Sequence, residues 1–275
     1  MAIPEALERL LTAPGPSGQE GPAAEAWREA ARAFGDVSSD VLGSSWVRVP
    51  GTAGGPLLAI VGHIDEIALV ATHAGDAALV VGAPVELRNN RIASRALDNR
   101  IGCYVALEVA RRVAAEGGAP GDVAGLAVVQ EEVGDFAGAR TAAYVLEPAV
   151  AIAVDVTHAT DIRGGDPEDE GDNRLGGGAA LMRGPSMHPR IFDLLYETAE
   201  AEGIPFTVEV SRGHTNTDAD AVYLSRMGVA TGLVSVPLRY MHTPVETVDL
   251  DDIEAAVRLL VAFARRLEPG LSLAR

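Results

Sequence analysis

The chain has 275 residues, 48% of them hydrophobic and 22% charged, with a formal net charge of −17. That size and composition support a large core and exclude general disorder, and the acidic balance argues against nucleic acid as a partner. The single cysteine, Cys103, excludes an internal disulfide framework, and all 22 basic residues are arginine.

The first residues, MAIPEALERLLTAPGPSG, place Glu5 and Glu8 where a signal peptide carries a basic start and an apolar run. They read as a short amphipathic helix ended by a Pro-Gly-Pro-Ser-Gly turn, and a cytoplasmic location is expected. No stretch reaches the roughly 18–20 apolar residues that span a bilayer, so no membrane partner is expected. A second helix is expected over Pro22–Phe34, and a hairpin over Val37–Val49 around Gly43. Pro56–His63 is a continuous apolar run ending in polar residues, as a buried strand reads. IALVATHA looks like a partner strand, and 73–93 is a short, turn-rich linker. A strong helix is predicted over Asn99–Ala115, a buried strand over Leu126–Gln130, a helix over Gly138–Leu146 and a strand over Val150–Val156. Gly164–Gly178 reads as a solvated, acidic, glycine-rich loop whose spacing does not match an EF-hand. The remainder reads as strand (Ala179–Met182), helix (Pro189–Ala201), strand (Phe206–Val210), helix (Ala219–Met227), strand (Ala230–Val236) and a last helix (Asp251–Leu267). Alternating strands and helices predict a layered α/β domain occupying residues 1–275.

The strong strands end in residues that a structural strand does not need. The first ends His63-Ile64-Asp65-Glu66, and residues i and i+2 share a strand face, so Asp65 can orient the His63 imidazole. Asp98 opens a helix, where an N-cap role is an equally simple reading. Glu131 and Glu132 follow a buried strand, and adjacent carboxylates there repel one another unless a cation offsets the cost. Asp155 lies in an apolar strand, and His242 follows another in RYMHTPVE. Ligand sites in α/β sheets gather at strand carboxyl ends. Two histidines with four carboxylates form the donor mix of a two-metal hydrolase, with zinc the default and cobalt or manganese the alternatives. Cys103, on the apolar face of a helix, reads as core.

These residues fall in the strings GHIDEIALV, SRALDNRIGCYVALEVA, VVQEEVG, AIAVDVTHATD and VPLRYMHTPVETVDLDDI. In that order they resemble the dinuclear metallo-aminopeptidases of the glutamyl/deblocking group, which includes the tetrahedral aminopeptidases. The resemblance implies a three-layer α/β/α zinc-peptidase-like domain with a mixed, mostly parallel sheet. It implies two divalent metal ions: His63 and Asp155 on one, Glu132 and His242 on the other, and Asp98 bridging both. Glu131 matches the general base, and Asp65 the orienter of His63. Peptides with a free N-terminus are the implied substrates, with His214 and Tyr240 as candidate substrate contacts. The family carries an inserted lid and oligomerisation domain between the GHIDE and ALDNR strings, and here only 73–93 stands in its place. Apolar surface left there favours a homo-oligomer other than the large tetrahedral assembly. A lid-less core kept as a binding or assembly module, and a related deacylase or dipeptidase, are the competing readings. A carbohydrate hydrolase needs two metal-free carboxylates, which this pattern does not leave.

Overall fold

The computed structural model of the chain describes residues 2–70, 77–165 and 167–274. From the N-terminus, α1 (Glu5–Thr12) and α2 (Gly21–Ala31) precede a hairpin of β1 (Asp36–Ser39) and β2 (Ser45–Val49), then β3 (Gly55–His63). A separate ribbon of β4 (Leu69–Val70) and β5 (Ala77–Ala78) follows. β6 (Val85–Glu86) and β7 (Arg91–Ser94) lead into α3 (Leu97–Ala115). Next come β8 (Gly121–Val128), α4 (Ala137–Leu146), β9 (Val150–His158) and the single-turn α5 (Pro167–Glu170). The chain ends with β10 (Ala179–Arg183), α6 (Pro189–Glu202), β11 (Phe206–Val210), α7 (Ala219–Val222), β12 (Ala230–Arg239), β13 (Glu246–Asp249) and α8 (Leu250–Arg265).

The main sheet has the order β1-β2-β8-β3-β9-β12-β13-β7-β6, with β10 joined to β12 and β11 to β10. Its four central strands, β8, β3, β9 and β12, run parallel. Antiparallel pairs close both margins. Parallel strands are buried on both faces, which is why they read as unbroken apolar runs. Leu58 and Ile60 of β3 point to one side, into the core built with α1, α2, α3, α6 and α8. Ala59 and Val61 point to the other, against α4 and α7. This is the expected three-layer α/β/α sandwich with a mixed sheet. Glycine sets the closest approach of α3 to the sheet: a Cβ on Gly62 would lie 2.3 Å from the Gly102 carbonyl carbon. Ile60 is fully buried in the larger core. Ile60→Ala is expected to cost about 2–5 kcal/mol, read as a lower denaturation midpoint at unchanged slope.

Several boundaries differ from the sequence reading. β8 starts at Gly121 rather than Leu126 and stops before Gln130. Gly125 lies inside the strand, where a Cβ would sit 2.5 Å from the Ala106 carbonyl oxygen. Gln130 takes φ 60°, outside strand geometry. β9 runs on to His158 because it pairs with β12 as far as Leu238, and β12 runs on to Arg239, which pairs with Thr247 of β13. The helix expected over Ala219–Met227 stops at Val222. The glycine-rich acidic loop contains the one turn of α5, and Asp166 lies outside the described residues. The partner strand expected from IALVATHA is the two-residue β4, with 71–74 outside the described residues. Of the 73–93 linker, 73–76 likewise lies outside them, and the short strands β5, β6 and most of β7 lie within the rest, joined by turns and irregular chain. No helix among the described residues is long and apolar enough to cross a membrane.

Candidate metal centre

Because the central strands are parallel, their carboxyl ends lie along one edge of the sheet. His63 is the last residue of β3, and its odd register continues the Ala59–Val61 face. Asp155 continues the same face from Ala151 and Ala153 on β9. Glu131 and Glu132 follow β8, and His242 follows β12. The turns that carry these groups hold non-glycine residues at positive φ: Ala96, Gln130, Tyr240 and His242. Such strain gathers where the surrounding structure must hold a side chain in one orientation.

Asp98 lies between the two histidines. Its Oδ1 is 3.3 Å from His63 Nε2, and its Oδ2 is 3.2 Å from His242 Nε2. His63 Nε2 is also 3.7 Å from Glu131 Oε2 and 3.8 Å from Asp155 Oδ1. His242 Nε2 is 3.7 Å from Glu132 Oε2. Potential donor atoms of His63, Asp98 and Glu132 lie within 4.8 Å of one another, as do those of His63, Glu131 and Asp155. The N-cap of α3 is Ala96, and Asp98 lies inside the first turn, so N-capping does not account for it. Asn99 anchors the start of α3 instead, donating to the Val154 carbonyl at 2.8 Å and accepting from the Gly102 amide at 2.8 Å.

Behind His63, Asp65 is fully buried and faces Nδ1 at 3.4 Å. It also accepts from the amides of Glu131 and Glu132, each at 3.1 Å. Glu246 plays a similar part on the other side, which the sequence reading did not assign. Its carboxylate accepts from the Asp98 amide at 3.1 Å and the His242 amide at 2.9 Å. A buried glutamate inside the string already marked as chemical was the signal for it. His214 and Tyr240 are not brought in: His214 is 81% exposed beside Asp220, and Tyr240 is exposed. Their neighbours Thr215, Thr217 and Met241 do line a cavity of ≈ 550 Å³ over the centre. Buried Glu209, also unassigned from sequence, lines that cavity and accepts from Thr157 and Ser235. A smaller, largely apolar cavity of ≈ 210 Å³ lies beside Ile67, Leu79 and Pro244, and both cavities share Asp98, Glu132 and His242. Cys103 is core, as expected, and its thiol donates to the Gly62 carbonyl at 3.3 Å.

The electrostatics are those of an acid cluster short of positive charge. Burial pushes Glu131 up to about 8 and Glu132 up to about 7, with neighbouring carboxylates adding to the shift. Asp155 is also held well above its ordinary value by burial. Burial opposes the charged form of His63, but Asp65 and Asp98 hold it well above its usual range. His242 rises to about 9 through its bond to Asp98. Asp98, despite burial, falls to about 2 between the two imidazoles. All the raised groups favour the protonated, metal-free state, so that state gains stability below their ordinary values and loses it as pH rises through the raised ones. The unfolding temperature of chelator-treated protein is expected to fall between pH 6 and 9. Excess zinc is expected to remove that fall and to release protons on binding, measured in weak buffer. An unchanged apo unfolding temperature across that range would contradict the assignment. The donor set fits divalent cations on its own chemistry: two imidazoles with the carboxylates of Asp98, Glu132 and Asp155, and no thiolate, are borderline-to-hard donors whose largely buried negative charge two dications offset.

Fold and donors together define the class, a zinc-peptidase-like α/β/α domain with an imidazole–carboxylate centre at the carboxyl edge of its parallel strands. The chain belongs to the M42 glutamyl aminopeptidase family, whose model matches residues 72–259. It is 38% identical over 185 residues to a lysyl aminopeptidase of Pyrococcus furiosus, covering 66% of this chain and 51% of that protein. The chain thus spans about half the length of the curated relatives it matches. An aminopeptidase from the archaeon Desulfurococcus kamchatkensis superposes with TM-score 0.83 at 28% identity, covering 95% of this chain and 94% of that one. The Pyrococcus horikoshii TET1 peptidase, described as able to assemble into a tetrahedron or a large octahedral shell, gives TM-score 0.75 at 22% identity. That likeness covers 94% of this chain and 98% of that one, and is one of fold alone.

Proposed function

We propose that the chain is a metal-dependent aminopeptidase acting on peptides with a free N-terminus. The observation that carries this reading is Asp98 placed between His63 and His242, one carboxylate oxygen toward each imidazole. In this reading His63 and Asp155 would hold one divalent ion and Glu132 and His242 the other, with Asp98 the carboxylate that would serve both. Zinc is the default ion, with cobalt or manganese as alternatives. The bound ions supply Lewis acidity, polarising the scissile carbonyl and lowering the pKa of water. Glu131, left free as general base, accepts the proton of the attacking water and returns it to the leaving amine. Asp65 fixes the ring of His63 and the peptide carrying Glu131 and Glu132. The two cavities that meet at Asp98, Glu132 and His242 give the substrate room on both sides of the reacting bond. The acidic wall of the larger one favours an ammonium group at the N-terminus.

The whole chain serves as one catalytic domain, with 73–93 in the place of the family's inserted domain. Ile67, Leu69, Val80 and Val81 are exposed around that place, and a homo-oligomer that covers them fits the exposed apolar surface. The catalytic reading is tested with paired aminoacyl chromogenic substrates, free and N-acetylated, on metal-stripped protein with and without added zinc or cobalt. Metal-dependent cleavage confined to the free-amine series is expected. Equal cleavage of blocked substrates would point to a deacylase, and no cleavage of either series with metals bound would overturn the enzyme reading.

A further inference from the structure

We propose that the loop Pro14–Glu20 is a working part of the metal centre, and that Ser17 is a positioning residue for the Asp65–His63 pair. The inference rests on the catalytic reading above for its kinetic consequences, but not for its structural ones. From sequence this segment is only a turn that ends the first helix. In the structure the Ser17 hydroxyl donates to Asp65 Oδ2 at 2.7 Å. Asp65 is fully buried, and it is the joint between two parts of the centre. Its Oδ1 accepts from the Glu131 amide and faces His63 Nδ1, while its Oδ2 accepts from the Glu132 amide and from Ser17. Among the described residues, Ser17 supplies the one hydroxyl that donates to Asp65. Without it, Oδ2 keeps the Glu132 amide alone, and the carboxylate gains freedom to turn. Any such turn moves the imidazole of His63 and the peptide that carries Glu131 and Glu132 together.

The loop is held far more firmly than a surface turn requires. Glu66, one residue beyond Asp65, accepts from the Gly15 amide at 2.9 Å and donates its own amide to the Gly15 carbonyl at 3.0 Å. Arg100 is fully buried, donates to the carbonyls of Leu10 and Ala13, and pairs with Glu66 at 3.0 Å. Arg95, also buried, pairs with the other Glu66 oxygen and reaches the carbonyls of Thr12 and Ala13. There is no room to spare: a Cβ on Gly15 would lie 2.6 Å from Arg100 Nη2. At the far end of the loop, buried Glu20 accepts from the Gly18 amide at 2.6 Å. Burial raises the Glu20 carboxyl, while hydrogen bonds from the Gly18 and Gln130 backbone pull against that rise. The loop therefore touches both strand ends, Asp65–Glu66 after β3 and Gln130 after β8. Two buried arginines around one buried glutamate are costly unless paired, as Arg95 and Arg100 are with Glu66, and that paired set fixes geometry more than it adds stability. Ser17 is separable from that anchoring. Its hydroxyl takes no part in the arginine–glutamate network, so removing it leaves the loop docked and frees only Asp65.

The test is Ser17→Ala beside Ser17→Thr in the full chain, with three readouts. These are the unfolding midpoint, kcat and KM on a free-amine aminoacyl substrate, and the affinity and visible spectrum of the cobalt-loaded protein. Ser17→Ala is expected to lower kcat and cobalt affinity each by about 10–100-fold, the usual cost of losing a group that orients a metal-bound histidine. KM and the unfolding midpoint are expected to stay near wild type, and the cobalt bands to shift. Ser17→Thr, which keeps the hydroxyl, is expected to restore most of the loss. Wild-type kcat and cobalt spectrum in Ser17→Ala would overturn the proposal, as would equal losses in Ala and Thr that follow a lower unfolding midpoint. If the wild-type chain cleaves no substrate, the aminopeptidase reading fails by itself, and cobalt affinity and spectrum still decide the role of Ser17.

Discussion

Glu131→Gln is expected to lower kcat by about 10²–10⁴-fold while leaving metal content unchanged. The amide is nearly isosteric with the carboxyl but cannot accept the proton of the attacking water. The fold has little reason to respond, because the Glu131 main-chain amide, not its side chain, bonds to Asp65. Burial and the carboxylates of Asp218, Glu132 and Asp98 push the Glu131 carboxyl up to about 8, so the wild-type site already favours its neutral form without metal. The substitution therefore removes no charge that the metal-free protein holds at neutral pH. Steady-state kinetics and elemental analysis on the same preparation check this. Activity within tenfold of wild type would show that another group takes the proton. Loss of an equivalent of metal would show that Glu131 is a ligand, a role its 3.7 Å approach to His63 Nε2 makes worth separating.

Asp98→Ala is expected to weaken binding of both metal ions, each by more than about 100-fold, since even outer residues around a metal cost about 10–100-fold. One carboxylate faces both imidazoles, at 3.3 Å and 3.2 Å, so a single substitution acts on two sites. A second readout needs no metal. The bond to Asp98 is the leading cause of the rise of His242 to about 9, so the stripped variant is expected to titrate that imidazole at lower pH, followed by NMR. Retention of one tight metal with a normal His242 titration would show that Asp98 serves only the His63 side.

The chemistry was legible where it interrupts a pattern. An apolar run that ends in His63 or Glu131, or encloses Asp155, breaks the code of a buried parallel strand, and those residues do converge at one sheet edge. The five strings carried the family because their order along the chain survives even though their spacing in three dimensions is not written in it. What stayed hidden depends on partners far away in the chain. Ser17 acts through a residue 48 positions on, and Arg100 through carbonyls about 90 positions back. Each is locally an ordinary turn or helix residue. β13 was missed for a similar reason: Glu246–Asp249 has only four residues, and its strand character comes from pairing with β7 and β12. Gly125 of β8 is likewise explained only across the fold, by the approach of α3.

The most direct test of the centre is a titration of zinc into metal-stripped protein, followed by hydrolysis of a free-amine aminoacyl substrate and by bound metal. Activity that rises to a plateau at two equivalents per chain, with Asp98→Ala silent throughout, is the predicted result. Full activity at one equivalent, or activity independent of zinc, would contradict a two-metal centre built from His63, Asp98, Glu132, Asp155 and His242.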